Sequence, residues 1–163
     1  MGGVKLTVER QSFPALMTAL NRLEARTKDL TPAFKSMGQH LLRTIDQRFD
    51  EQKSPHGQPW QDISEFTKEK KRGTFGQDKI LTDTGRMRRS ITYIASSERL
   101  EIGTNVVYAK KHQFGGKTDI RGHFFILAAR PFLGLSTEER EAITRIVLEY
   151  LAKAVSGRSG SPS

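Results

Sequence analysis

The stretch Gly103-Thr-Asn-Val-Val-Tyr108-Ala-Lys-Lys-His112-Gln-Phe114-Gly115-Gly116 sets a phenol and an imidazole four residues apart between glycines. On one helical turn Tyr108 and His112 would share a face, and a histidine so placed is the first candidate for general-base chemistry. A base needs an acceptor to orient its ring and a nucleophile within reach. The nearest carboxylate in sequence is Asp119, in a polar segment. The other histidines, His40, His56 and His123, form no metal-ligand spacing such as His-Glu-x-x-His, and there is no cysteine to supply a thiolate. Gly73-Thr-Phe-Gly-Gln-Asp-Lys79 lacks the spacing and the following Ser or Thr of a phosphate-cradling loop. The residues therefore assign no catalytic, cofactor-binding or metal-binding side chain. His112 reads instead as a packing or hydrogen-bonding residue that fixes the turn after Tyr108.

These residues need elements to hold them. Val4, Leu6 and Val8 alternate with polar neighbours, which predicts a strand. From Ser12, a plausible N-cap, the period changes, and Phe13, Leu16, Met17, Leu20 and Leu23 predict a helix with Pro14 near its start. A second helix is predicted from Thr31-Pro32, with Phe34, Met37, Leu41, Ile45 and Phe49 as its apolar face. Pro55, Gly57 and Pro59 then break helix, and Trp60 reads as the anchor of the resulting turn. Residues 53–85 form the longest weakly patterned span, relieved by a short helix over Ser64–Arg72. Leu81-Thr-Asp-Thr-Gly85 should lead back into a sheet, with strands at Ile91–Ser96 and Leu100–Ile102. Gly103 and Gly115-Gly116 read as positions where a positive φ is needed. Tyr108 to Phe114 suits one helical turn, and Lys117–Gly122 reads as a flexible polar segment. His123–Leu127 suits a strand or an extended segment covering the core. Arg130-Pro131-Phe132 opens a constrained turn, and Ser136 caps a last helix with Glu138 and Glu139 in its first turn. Ile143, Ile146, Val147, Tyr150, Leu151 and Ala154 make its stripe. The expected class is α+β: a small antiparallel sheet packed against two N-terminal helices and one C-terminal helix, with long extended loops. Residues 1–155 are expected to form a single domain and 156–163 a disordered tail.

Composition narrows the partners. The net charge is +9, from 27 basic and 18 acidic side chains, which favours nucleic acid, anionic membrane or an acidic protein. Basic residues cluster at Lys68, Lys70, Lys71 and Arg72, and again at Arg86, Arg88 and Arg89; each cluster is either a solvated loop or a contact surface. No apolar run approaches the roughly 20 residues of a membrane helix, and no signal peptide is visible, so a soluble, cytosolic protein is expected.

Four motifs in order carry a resemblance. They are Phe49-x5-Pro55-His-Gly57-Gln-Pro59-Trp60 and Leu81-Thr-Asp-Thr-Gly85-x-Met87-x-x-Ser90-Ile91, then Ile102-Gly103-Thr-Asn105-x-x-Tyr108-Ala-x-x-His112-Gln-Phe114-Gly115 and Ala129-Arg130-Pro131-Phe132-Leu-Gly-Leu-Ser136. Together they resemble the phage virion morphogenesis family, the tail-completion proteins of contractile-tailed phages such as the Mu-like group. That family's pattern usually has an acidic residue where this chain has His56. The resemblance implies a structural, non-enzymatic role without cofactors: a hexameric ring at the head–tail junction that completes the tail or joins it to the head. It implies contacts with further copies, with head-connector and tail-tube or tail-terminator proteins, and with packaged DNA passing through the lumen. The place implied is the host cytoplasm during assembly and then the virion neck or tail, with no membrane. The candidate assembly or structural residues are Pro55, Gly57, Trp60, Gly85, Gly103, Tyr108, His112, Phe114, Gly115, Arg130, Pro131 and Phe132. The basic clusters keep a second reading open, a nucleic-acid-binding accessory protein, although no recognition-helix or single-strand-binding signature accompanies them. A small hydrolase using His112 is a third.

Overall fold

In the computed structural model, which describes residues 14–73 and 79–156, α1 (Pro14–Lys28) leads through Asp29 and Leu30 into α2 (Thr31–Glu51). The apolar stripe of α2 decides where the core sits. Ala33, Met37, Leu41, Ile45 and Phe49 are buried along one face, the spacing that lets a helix bury a side and leave the rest wet. Proline in the first turn of α2 removes a donor that would have gone unused there. The strand expected around Val4, the Ser12 cap and Phe13 lie outside the described residues, as do 157–163 of the expected tail.

After α2 the chain turns at Gln52, in the left-handed region at φ 55°. The proline-rich segment then folds back on itself: Ser54 N–H donates to the Gln58 carbonyl and Trp60 N–H to that of Gln52, both at 2.8 Å. Next come α3 (Glu65–Lys71), capped by the Ser64 hydroxyl, and α4 (Arg86–Ser90). This fourth helix replaces the direct entry into a sheet expected after Gly85. Its Arg88 forks between Asp46 and Asp50 of α2, so part of the second basic cluster is neutralised by carboxylates rather than free.

The strand content divides. Thr92–Ala95 (β1) and Leu100–Gly103 (β2) pair antiparallel with Tyr93 opposite Ile102, and this sheet lies on α2. Contact is closest at Gly38, where a Cβ would run into the ring of Tyr93, so only glycine lets the sheet approach this helix. Gly103 ends β2 with nothing within 4 Å of its would-be Cβ and is not among the glycines at positive φ, contrary to the expectation for it.

After α5 (Ala109–Phe114), Gly116–Ile120 (β3) and His123–Leu127 (β4) make a second two-stranded antiparallel sheet. Lys117–Gly122, expected as flexible, thus supplies a strand and a hairpin turn. His123–Leu127 is a strand, but it does not cover the core: Phe124 and Ile126 are 79% and 81% exposed. The architecture is α+β, with two separate two-stranded sheets in place of one.

Thr137–Val155 forms α6. The Ser136 hydroxyl accepts from Glu139 N–H while the Glu139 carboxylate accepts from Ser136 N–H, a complete capping box. α6 packs on α1 and α2; Arg26 donates to the Tyr150 carbonyl at 2.7 Å and lies 5.0 Å from the centre of its ring. The main cluster gathers Ile45, Phe49, Trp60, Ile80, Met87, Ala109 and Phe132. Phe49 is its hub, with the rings of Trp60 and Phe132 each centred 5.5 Å away. No described helix is long and apolar enough to cross a membrane.

Candidate functional site: a cationic groove and a projecting hairpin

Three segments far apart in sequence meet at one groove of about 750 Å³. One wall is α3 with Ile63 before it, the second is the turn Leu81–Gly85 running into α4, and the third is Tyr108 and His112 with Arg130 beside them. Each wall has a local cause. Lys71, expected as part of a solvated run, is buried, and its ammonium donates to the carbonyls of Lys79 and Thr82 at 2.5 and 2.8 Å. Those bonds fasten α3 to the Leu81–Gly85 turn. Arg130 fastens the rest: its guanidinium donates to the Gln61 and Asp62 carbonyls, and its backbone N–H to the His112 carbonyl at 2.7 Å. Neither buried cation was visible as such in sequence, since long basic side chains in polar runs are usually solvated.

His112 sits as its spacing predicts, edge-on to Tyr108 with ring centres 6.0 Å apart. Of the two roles expected for His112 in fixing the turn after Tyr108, packing is the one seen. Gly115 N–H donates to the Lys111 carbonyl, and Nδ1 of His112 is buried with no hydrogen-bond partner among the described residues. Its charged neighbour is Arg130 rather than a carboxylate, and burial first, then that cation, push its pKa below the ordinary value. Asp119, the nearest acid in sequence, instead accepts from Gly122 N–H inside the hairpin turn at 2.7 Å. The groove thus holds a neutral imidazole at neutral pH.

A stability consequence follows with a definite sign. A histidine whose folded pKa is depressed contributes stability that is complete above its unfolded pKa of about 6.5 and is lost as pH falls through the folded value. The melting temperature should therefore drop on going from pH 7.5 to pH 5, and His112→Gln should flatten that drop. Equal slopes for the two proteins would show that His112 protonates without penalty.

The other candidate residues divide. Trp60 and Phe132 join the core, and Pro131, half-buried, accepts from Trp60 Nε1–H through its carbonyl at 2.8 Å. Pro55 is buried under Gly134. Gly85 and Tyr108 line the groove. Gly57 lies in the exposed turn at φ 78°, and Phe114 is 71% exposed at the end of α5. Gly115 roots the second sheet: at φ 67°, a Cβ would stand 2.7 Å from both the Leu127 oxygen and the Ala129 nitrogen. Any larger residue would pry β3–β4 from its base. From that root the hairpin projects, tied at Lys111 Nζ to Thr118 Oγ1 at 3.0 Å. Because neighbours on a strand face opposite sides, Phe124 and Ile126 share one exposed face and Phe125, 43% exposed, lies on the other.

The convergence of Leu81–Gly85, Met87, Tyr108, His112 and Arg130 on one groove, above a core of Trp60 and Phe132, joins all four sequence motifs in one place. The model of the phage virion morphogenesis family matches residues 12–152. The chain belongs to that family. It is 28% identical to the Mu-like prophage FluMu G protein 2 of Haemophilus influenzae over 146 residues, 89% of this chain and 95% of that one. It is 31% identical to the putative capsid assembly protein G of Escherichia phage Mu over 134 residues, 80% of this chain and 85% of that one. No solved structure gives a match. Membership assigns the protein a role in phage virion morphogenesis, and the family is one of structural assembly proteins.

Missed by the sequence reading are Arg48 and Glu139, an ion pair buried at 7% and 4% exposure. A signal was available for both. Arg48 falls at a stripe position of α2, three residues after Ile45, and Ser136-x-x-Glu139 is the sequence form of a capping box.

Proposed function

We propose that the protein is a tail-completion component that assembles as a hexameric ring at the head–tail junction, without catalysis. The observation that carries the ring is the β3–β4 hairpin. A lone two-stranded hairpin is marginal in water, and this one exposes Phe124 and Ile126 side by side on a root fixed by Gly115. A rigid arm that fits a surface elsewhere on the next copy makes a head-to-tail contact, and such contacts form a ring when the rotation from copy to copy closes. Its neighbours on this reading are head-connector and tail-tube or tail-terminator proteins, with DNA in the lumen facing some of the +9 charge. The phage Mu relative is named for capsid assembly, which, carried over to this chain, also sets it among virion-building proteins. It would act in the host cytoplasm during assembly and stay in the neck or tail.

The test is Phe124→Ser with Ile126→Ser. Both side chains are exposed, so the melting temperature should stay near that of the parent. Mass by light scattering should fall from ring to monomer, and tail completion in a complementation assay should be lost. A double variant that still forms rings would remove the hairpin from the ring contact. The second reading, a nucleic-acid-binding accessory protein, draws on the exposed cations Lys70 and Arg86 around the groove. It calls for duplex-DNA affinity of the isolated chain that falls steeply with salt.

A further inference from the structure

We propose that the groove between α3, the Leu81–Gly85 turn and Tyr108–His112 docks an acidic segment bearing a large apolar side chain, supplied by a protein other than this chain. The inference rests on the assembly reading and adds the chemistry of one partner. Lys70, Arg86 and Arg130 line the groove, and Asp83 is the one carboxylate among its described lining residues. The groove therefore carries a positive field that attracts anions and, having low-dielectric walls, concentrates it.

Charge alone would suit a phosphate backbone, but the walls decide otherwise. Ile63, Leu81 and the Tyr108 ring offer apolar surface among the cations. A phosphate pressed against aliphatic carbon loses water and gains no hydrogen bond. A carboxylate next to an aromatic or aliphatic side chain uses both kinds of surface, the acid at the cationic rim and the apolar group in the groove. About 750 Å³ falls within the roughly 300–1,000 Å³ of well-formed ligand sites.

A second copy is the wrong source. The chain is strongly basic, at +9, and its projecting arm carries Lys117, Arg121 and His123 against Asp119 alone. Bringing that arm to this groove would oppose like charges. The occupant is an acidic protein.

The experiment titrates the full-length, isotope-labelled protein with the peptide acetyl-Glu-Asp-Phe-Glu-Asp-amide and follows backbone amide shifts. Controls are a neutral peptide with Gln and Asn for the acids, a peptide with Ser for Phe, and a 20-base-pair duplex. Saturable shifts should cluster at Thr82–Met87 and Tyr108–His112, with a Kd on the order of 0.1–1 mM. Both altered peptides should bind about tenfold more weakly, and so should the parent peptide to a Lys70→Glu, Arg86→Glu variant, whose changes fall on exposed side chains. No saturable shift, or equal binding of the neutral peptide, would overturn the proposal. Displacement of the peptide by duplex DNA at these same amides would reassign the groove to phosphate. Light scattering on the same variant separates the two readings. Peptide binding lost with rings intact supports the groove alone, whereas a parent protein that binds peptide but never forms rings fails the ring and leaves the groove standing.

Discussion

Trp60→Ala should lower the unfolding free energy by about 3–5 kcal/mol, the usual result of truncating a well-buried large aromatic. Trp60 is 5% exposed and stands edge-on to Phe49, with ring planes at 76°. Its loss opens a cavity beside the most central side chain of the core. It also removes the indole donor to the Pro131 carbonyl, leaving that acceptor short of a partner where water reaches poorly. Set against a typical total of about 5–15 kcal/mol, the change is a large fraction of stability. In a domain of this size it corresponds to a fall of roughly 6–20 °C in Tm. Trp60→Phe keeps most of the aromatic contact and loses the hydrogen bond, so it should fall between the two. Urea unfolding of the three proteins checks the order. A nearly unchanged midpoint for Trp60→Ala, with ring assembly lost, would mean that this residue serves an interface.

The elements that the sequence made legible are those whose pattern is local. The stripe Met37, Leu41, Ile45 and Phe49 needs nothing but helical period to be read, and Trp60 next to Phe49 follows from the proline-rich turn that must return the chain to the helix it left. Ser136 as a cap, the turn of helix at Tyr108–Phe114 and the strands on either side of Ser96–Arg99 are likewise short-range. What failed is what depends on distant partners. Lys117–Gly122 looks like a loop because a run dominated by charged residues, Asp and Gly carries little strand signal; Gly116–Ile120 becomes a strand only by pairing with His123–Leu127. That apolar strand was assigned in part to the core because nothing in its own residues says that it faces outward. α4 is too short for periodicity to register, at five residues. The groove is the extreme case: Thr82, Tyr108 and Arg130 meet only in three dimensions, and Arg130 acts through two backbone carbonyls that no side-chain pattern announces.

The second large effect is expected at Arg48 and Glu139. Arg48 Nη1–H donates to the carbonyls of Phe132 at 2.8 Å and Gly134 at 3.0 Å, and its other terminal nitrogen to the Glu139 carboxylate. One buried guanidinium thus joins α2, the turn after Arg130 and the first turn of α6. Taking one member from a buried pair costs about 3–5 kcal/mol, because the other charge stays behind without compensation. Arg48→Met should be the worst single change, since it strands a buried carboxylate and two carbonyls together. Glu139→Gln should be the mildest. Its side-chain oxygen can still accept from Ser136 N–H and keep the capping box, a contribution of about 1 kcal/mol, and the guanidinium keeps its two carbonyls. Glu139→Ala loses the charge and the side-chain half of the capping box, while the Ser136 hydroxyl still accepts from the backbone N–H of residue 139, and should lie between them. The double variant Arg48→Met, Glu139→Ala removes both charges at once, so its loss should be smaller than the sum of the two single changes, though not zero, because the Phe132 and Gly134 carbonyls still lack their donor. Urea denaturation with a constant m-value measures all four. If Arg48→Met unfolded within about 0.5 kcal/mol of the parent, the range of ordinary surface changes, the pair would have to be exchanging with water, and the joint between α2 and α6 would rest on apolar packing alone.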